Sequence, residues 1–271
     1  MPRLDVERAR LHYQRTGSGD PLVLVHGSWV DQRSWSELVP LLAPSFEVVT
    51  YDRRGHGRSE GDPGGGSAFE DADDLAALID ALGIAPAHAL GNSFGGSITL
   101  FLAVRHPDVL RALSVHEPPL FGLLADEPDV EAEMGTVGER LASVVSLIRS
   151  GDLEDAARRF VEEIALGPGS WENDLTPEIR RSFVENATTF PDEITHRESF
   201  WIDPSSLREF TRPALLTRGD ASPTFRVRPM DVIGRELPGW EQAMIQGVGH
   251  VPQLSHPSEY ARLITDFFRA A

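Results

Sequence analysis

The chain has 271 residues, no cysteine and a formal net charge of −17, with 41% hydrophobic and 25% charged residues. This length and mix suit one large α/β domain with its own core, or such a domain carrying a smaller insertion, and exclude a disordered or fibrous chain. The charge repels phosphate backbones and anionic lipid, and the cluster Arg53, Arg54 and Arg58 is too short to reverse that, so neither nucleic acid nor a membrane is expected as partner.

Without cysteine there are no thiolate nucleophiles, cysteine metal sites or disulfides, and no metal or other cofactor is expected. The charged start and the lack of any run of about 18 apolar residues predict a cytoplasmic protein. In chain order, residues 3 to 15 alternate as two short strands, and the turn Gly17-Ser18-Gly19-Asp20 leads into a buried strand at Pro21–Val25. A helix is predicted around Trp35–Leu42, then a second buried strand at Phe46–Tyr51 that ends in a Gly-rich loop. Residues 61 to 66 read as a mobile low-complexity loop. A helix over 69–83, a strand at Ala87–Leu90, a helix over Ser93–His106 and a strand at Leu110–His116 continue a parallel βα rhythm.

After His116 the rhythm changes. Residues 118 to 212 hold three or four helical patterns and no convincing strand. One face is marked by Val130, Met134, Val137, Leu141, Val144 and Ile148, a second by Leu153, Ala156, Phe160 and Ile164, and Thr176-Pro177-Glu178 signals a third start. Strands then resume at Pro213–Thr217 and Glu241–Ile245, and an amphipathic helix over Pro257–Phe268 closes the chain. The expected organisation is therefore a mostly parallel twisted sheet flanked by helices, formed by 1–117 and 213–271, with an inserted helical cap at 118–212.

Gly91-Asn92-Ser93-Phe94-Gly95 fits G-x-S-x-G, and its position between a strand and a helix gives the match its weight. In that pattern a serine sits on a sharp, strained turn that lifts its hydroxyl clear of the sheet, at a helix N-terminus that favours developing negative charge. The plainer reading is an ordinary helix N-cap serine. A serine nucleophile needs a base, and His250 in Gly247-Val248-Gly249-His250 follows the last strand at the same sheet edge, in the chain order serine, acid, histidine. His26 and His56 also lie in glycine-containing loops there and read as hydrogen-bonded structural residues. For the acid, Glu117 at the end of the strand before the cap is favoured, with Asp220 in Gly219-Asp220-Ala221 as the alternative, since an aspartate one residue after the glycine comes early. Backbone N–H groups of Phe94 and of Ser28, or alternatively Trp29, are expected to form an oxyanion hole. The glycines match no nucleotide fingerprint: Gly55-His56-Gly57 lacks the third glycine, and no G-x-x-x-x-G-K-[ST] occurs.

Taken together, His26-Gly27, Asp52-Arg53-Arg54-Gly55-His56-Gly57-Arg58-Ser59, Gly91-Asn92-Ser93-Phe94-Gly95-Gly96 and Gly249-His250 resemble the α/β-hydrolase superfamily. The segment Asp52–Ser59 is similar to one marking proline-iminopeptidase, esterase and haloperoxidase-like branches, and is expected to be structural. Haloalkane dehalogenases and zearalenone-type lactone hydrolases place their acid after the strand preceding the cap, a likeness that favours Glu117. Val115-His116-Glu117, Ser222-Pro223 and Ser255-His256-Pro257 look more like the lactone hydrolases. Serine at the elbow argues against dehalogenase or epoxide hydrolase chemistry.

The resemblance implies a serine hydrolase acting on a small hydrophobic ester or lactone. Trp29, Trp171, Phe190, Phe200 and Trp201 are the aromatics expected to line an apolar pocket, although they equally suit packing within the cap. Rival readings are C–C bond hydrolysis or cofactor-free perhydrolysis with the same triad, and a non-hydrolysing receptor on this fold.

Overall fold

The computed structural model describes residues 2–7, 9–61, 66–125, 127 and 130–271; most of the loop expected to be mobile lies outside them. Strands β1 (Arg3–Val6), β2 (Ala9–Gly17), β3 (Asp20–Val25), β4 (Phe46–Tyr51), β5 (Glu60–Gly61), β6 (Ala87–Asn92), β7 (Leu110–His116), β8 (Ala214–Gly219) and β9 (Glu241–Ile245) form one sheet. Its order is β1-β2-β4-β3-β6-β7-β8-β9, with β5 beside β2. Pairing is antiparallel at the β1-β2-β4 edge and parallel from β4 through β9.

The central strands read as unbroken apolar runs because both faces are covered. Side chains alternate between faces. Val23 and Val25 join a cluster with helices α2 (Ala68–Ala81), α3 (Phe94–Arg105) and α9 (Thr224–Glu236). Leu22 and Leu24 point the other way, onto α1 (Val39–Leu42) and α10 (Pro257–Ala270), whose Tyr260, Ile264, Phe267 and Phe268 form one buried stripe. Helix α2 starts where Ser67 and Glu70 satisfy each other's backbone N–H groups in a capping box.

One expected helix is broken. In place of Trp35–Leu42 there is a 3₁₀ turn at Gln32–Trp35, capped by Asp31, and then the single turn α1. Pro40 has no N–H to donate, so a helical ladder cannot run through it.

Between β7 and β8 the described chain is helical: α4 (Glu131–Ser150), α5 (Leu153–Phe160), α6 (Ser170–Asn173), α7 (Pro177–Glu185), α8 (Phe190–Thr195) and 3₁₀ turns. Helix α4 stops at Gly151, whose φ of 89° suits a residue without a side chain. Helix α5 widens into a π turn over Val161–Ala165. These helices share their own apolar cluster, which reaches the sheet through Trp29 and Val30. Polar contacts fasten them as well: Ser182 Oγ donates to Asp31 (3.0 Å) and Gly57 N to Asn186 Oδ1 (2.8 Å). Among the described residues no helix is long and apolar enough to cross a membrane.

Candidate active site

Three loops leave the carboxyl ends of neighbouring strands β3, β6 and β7, the edge where open α/β sheets hold their ligands. Among the described non-glycine residues, positive φ occurs at Trp29 (68°), Ser93 (56°) and Glu117 (44°), one in each loop. Conformations of this kind cost on the order of 1–3 kcal/mol each and survive only where the surroundings over-determine them.

The strain at Ser93 has a visible cause. A side chain on Gly91 would fall on the Gly95 carbonyl and within 2.5 Å of Thr99 Oγ1, and one on Gly95 would fall on the Val25 carbonyl and 2.6 Å from that of His26. Both glycines are therefore demanded by the turn. Ser93 stands at the N-terminus of α3 with no side-chain capping bond, so its hydroxyl is not spent on the helix. The N–H groups of Phe94 and Ser28 have no acceptor among the described residues, nor has that of Trp29. The loop carrying Ser28 packs close by: a Cβ on Gly27 would lie 3.6 Å from Ser93 Oγ.

His250 is 6% exposed and meets Glu117, whose Oε2 accepts from Nδ1 at 2.8 Å. The other Glu117 oxygen accepts from the Gly219 N–H at 2.9 Å. Burial opposes ionisation of Glu117, but nearby His116 and the bonds from His250 and Gly219 outweigh it and hold the carboxyl well below the usual range. Asp220 is exposed instead, and its Oδ1 accepts from Gly247 N at 2.6 Å. Asn92, beside Ser93, laces the loops together: its Nδ2 donates to the His250 carbonyl (2.9 Å), and Gln253 Nε2 donates to its Oδ1 (3.0 Å).

On its other side the imidazole meets a residue that sequence patterns did not single out. Arg226, in the first turn of α9 and 5% exposed, donates from Nη1 to His250 Nε2 at 2.9 Å and from Nη2 to the Ile164 carbonyl at 2.8 Å. Burial and then the Arg226 charge push the His250 pKa down to about 4. Nδ1 thus carries the proton donated to Glu117, and Nε2 is an acceptor. Among the described residues Ser93 Oγ has no hydrogen-bond partner.

A cavity of about 240 Å³ opens at this point, lined by Ser93, His250, Ser28, Asn92, Gln253 and Arg226 at its polar end. Its walls are apolar, with Val137, Leu141, Phe160, Phe183, Phe190 and Phe200 among them. Of the aromatics expected to line it, Phe190 and Phe200 do. The other three do not, which corrects that expectation. Trp29 is fully buried behind the wall, stacked on Phe160 with ring centres 4.6 Å apart. Trp171 packs inside the helical block against Phe183, and Trp201, 52% exposed, sits beside Gly122 at the surface. Phe160 and Phe183 take their place because helices α5 and α7 turn those faces inward, a choice that helical spacing leaves open.

Behind the loops that carry Ser28 and Phe94 lies a buried ionic cluster. Arg53 is fully buried and donates to Asp71 (2.7 Å) and to Glu193 from the helical block (2.6 Å). Its Nη1 also reaches the Gly27 carbonyl at 3.2 Å, and its guanidinium lies 4.7 Å from the centre of the Phe94 ring. Burial opposes ionisation of Glu193, but Arg53, His56 and the Ser28 hydroxyl outweigh it and hold its pKa at about 2. His26 and His56 serve as structural residues: His26 accepts from Arg53 N (2.9 Å), and both donate to nearby carbonyls. Asp52, within the Gly-rich segment, accepts from Gln32 N and Arg58 N at 3.0 Å each.

Comparison with known proteins gives a family match over residues 22–263, to a family described as "Alpha/beta hydrolase family". The chain is 27% identical to a 2-hydroxymuconate semialdehyde hydrolase of Pseudomonas sp. (strain CF600), over 97% of this chain and 91% of that one. It is also 27% identical to a pimeloyl-[acyl-carrier protein] methyl ester esterase of Yersinia pseudotuberculosis serotype O:1b (strain IP 31758), over 95% and 97%. A shorter match, 38% identical to an uncharacterised hydrolase of Bacillus subtilis (strain 168), spans about half of either chain, 48% and 49%. Among solved structures, Est816, described as an N-acyl homoserine lactone degrading enzyme, superposes with a TM-score of 0.74 at 25% identity, over 98% of this chain and 100% of that one.

Proposed function

Since the chain belongs to the alpha/beta hydrolase family, we propose that it is a serine hydrolase that cleaves a hydrophobic carboxylic ester or lactone, with Ser93 as nucleophile, His250 as base and Glu117 as the orienting acid. The observation that carries this reading is the 2.8 Å bond between Glu117 and His250 Nδ1 beside a strained, uncapped Ser93. That bond selects the tautomer whose Nε2 can accept a proton, and a buried carboxylate opposite stabilises the imidazolium that forms.

In the proposed reaction Oγ attacks the ester carbonyl as its proton passes to Nε2. The amides of Phe94 and Ser28 bind the oxyanion, and the departing alkoxide takes the proton from Nε2 as the carbon–oxygen bond breaks. Water then repeats the relay and frees the acid. The helical block, residues 118–212, serves as a cap whose apolar wall binds the body of the substrate, as the cavity residues from α4, α5, α7 and α8 suggest. An ester-cleaving and a lactone-degrading protein among the similar ones support this class of substrate.

A chromogenic short-chain ester tests the proposal. Turnover that falls by about 10⁴- to 10⁶-fold in Ser93→Ala is expected, together with loss of labelling by a fluorophosphonate. Normal turnover in that variant defeats the assignment. For the acid, Glu117→Gln is expected to lower kcat by about 10⁴-fold and Asp220→Asn to change it little; the reverse order makes Asp220 the acid.

A further inference from the structure

Arg226 stands out among the described residues lining the cavity: apart from the imidazole, it is the one among them with an ionisable side chain. It is 5% exposed, and among the described residues no carboxylate makes an ion pair with it. Its Nε is buried without any acceptor. Its two bonds go to a neutral ring nitrogen and a peptide carbonyl, neither of which carries a compensating charge. The nearest compensating charge is Glu117, which acts on it only across the imidazole. Burying a guanidinium without a carboxylate in contact costs several kcal/mol, and its planar fork is shaped for one. Its bond to His250 also occupies the lone pair that must receive the Ser93 proton.

Resting on the serine-hydrolase reading above, we propose that the substrate is an amphiphilic monoanion, an apolar ester or lactone bearing one carboxylate. That carboxylate pairs with Arg226 and draws Nη1 off His250 Nε2, so that binding frees the base. Nη1 lies 2.9 Å from Nε2, and Nε2 must come within about 3.2 Å of Oγ for proton transfer. The carboxylate therefore sits a few bonds from the scissile carbonyl. Burial remains the larger cause of the low His250 pKa, and Glu117 and His116 still face the ring, but neutralising Arg226 removes the second cause and moves the imidazole up from about 4, making it a stronger base when substrate is present.

Monomethyl adipate and neutral methyl hexanoate, followed by methanol release on the full chain, test this. The wild type is expected to favour the monoanion by about 10- to 100-fold in kcat/KM, the range of a charge-assisted bidentate contact. Arg226→Gln is expected to abolish the preference, and Arg226→Lys to restore part of it. In Arg226→Gln the acid limb of kcat/KM for methyl hexanoate should move to higher pH, since a cation beside the imidazole has been removed, a shift that a merely structural role would not produce.

Ser93-dependent cleavage of methyl hexanoate with no preference for the anion, or a preference that survives in Arg226→Gln, overturns this inference and leaves the serine-hydrolase reading standing. No cleavage of either ester and no fluorophosphonate label on Ser93 sinks that reading instead. Where Ser93 is labelled but neither ester turns over, protection from the label by hexanoate in the wild type and not in Arg226→Gln supports the anion site, and absence of protection rejects it.

Discussion

Arg53, in the loop after β4, and Arg226, in the first turn of α9, are both buried guanidiniums close to one cavity, and they are partnered in opposite ways. Arg53 lies between Asp71 and Glu193 and reaches the Gly27 carbonyl and the Phe94 ring, so its charge is matched and the loops after β3 and β6 both rest on it. Arg226 has an imidazole, a carbonyl and an idle Nε. A buried charge in direct contact with carboxylates ties elements together, whereas one whose nearest carboxylate, Glu117, lies beyond an imidazole is a cost the fold carries, best explained by a partner that arrives from outside.

This contrast is open to direct attack. The largest expected effect is at Arg53: Arg53→Met strands two buried carboxylates and should lower unfolding stability by about 3–5 kcal/mol in a urea titration. A loss under about 1 kcal/mol would mean that the cluster is not a structural anchor. Glu193→Gln should cost less, about 1–3 kcal/mol, because Arg53 keeps Asp71.

Glu193 also carries a pH signature. Its folded pKa of about 2 lies below the ordinary 4.5, so its stabilisation is present above pH 4.5 and is lost as pH falls towards 2. That part of the wild-type pH–stability profile should flatten in Glu193→Gln. The smallest effect is expected at Arg226, where Arg226→Gln gives up two hydrogen bonds and, with them, the cost of a buried charge that no carboxylate touches. Its unfolding free energy should stay within about 1 kcal/mol of the wild type. A loss of 3 kcal/mol or more would make Arg226 another structural cation and erase the distinction.

Much of the molecule is legible from local pattern. The apolar run Pro21–Val25 already reads as a strand buried on both faces, and helical spacing marks the block between β7 and β8 as helical. Gly91 and Gly95 announce the elbow because steric exclusion acts between near neighbours in the chain. Helical spacing does not say which aromatic faces the cavity: Phe160 and Phe183 do, while Trp171 and Trp201 turn elsewhere once the helices are docked.

By itself, then, the sequence determined the βα order, the break into a helical block, the glycine-flanked Ser93 and the placement of His250 beyond the last strand, all consequences of short-range sterics and periodicity. Only the tertiary structure set Glu117 rather than Asp220 against His250, through a left-handed residue at the end of β7 and a Gly219 N–H from the neighbouring strand. Arg226 beside His250 was decided there too, since contacts between loops that are far apart along the chain depend on how the sheet brings its edges together.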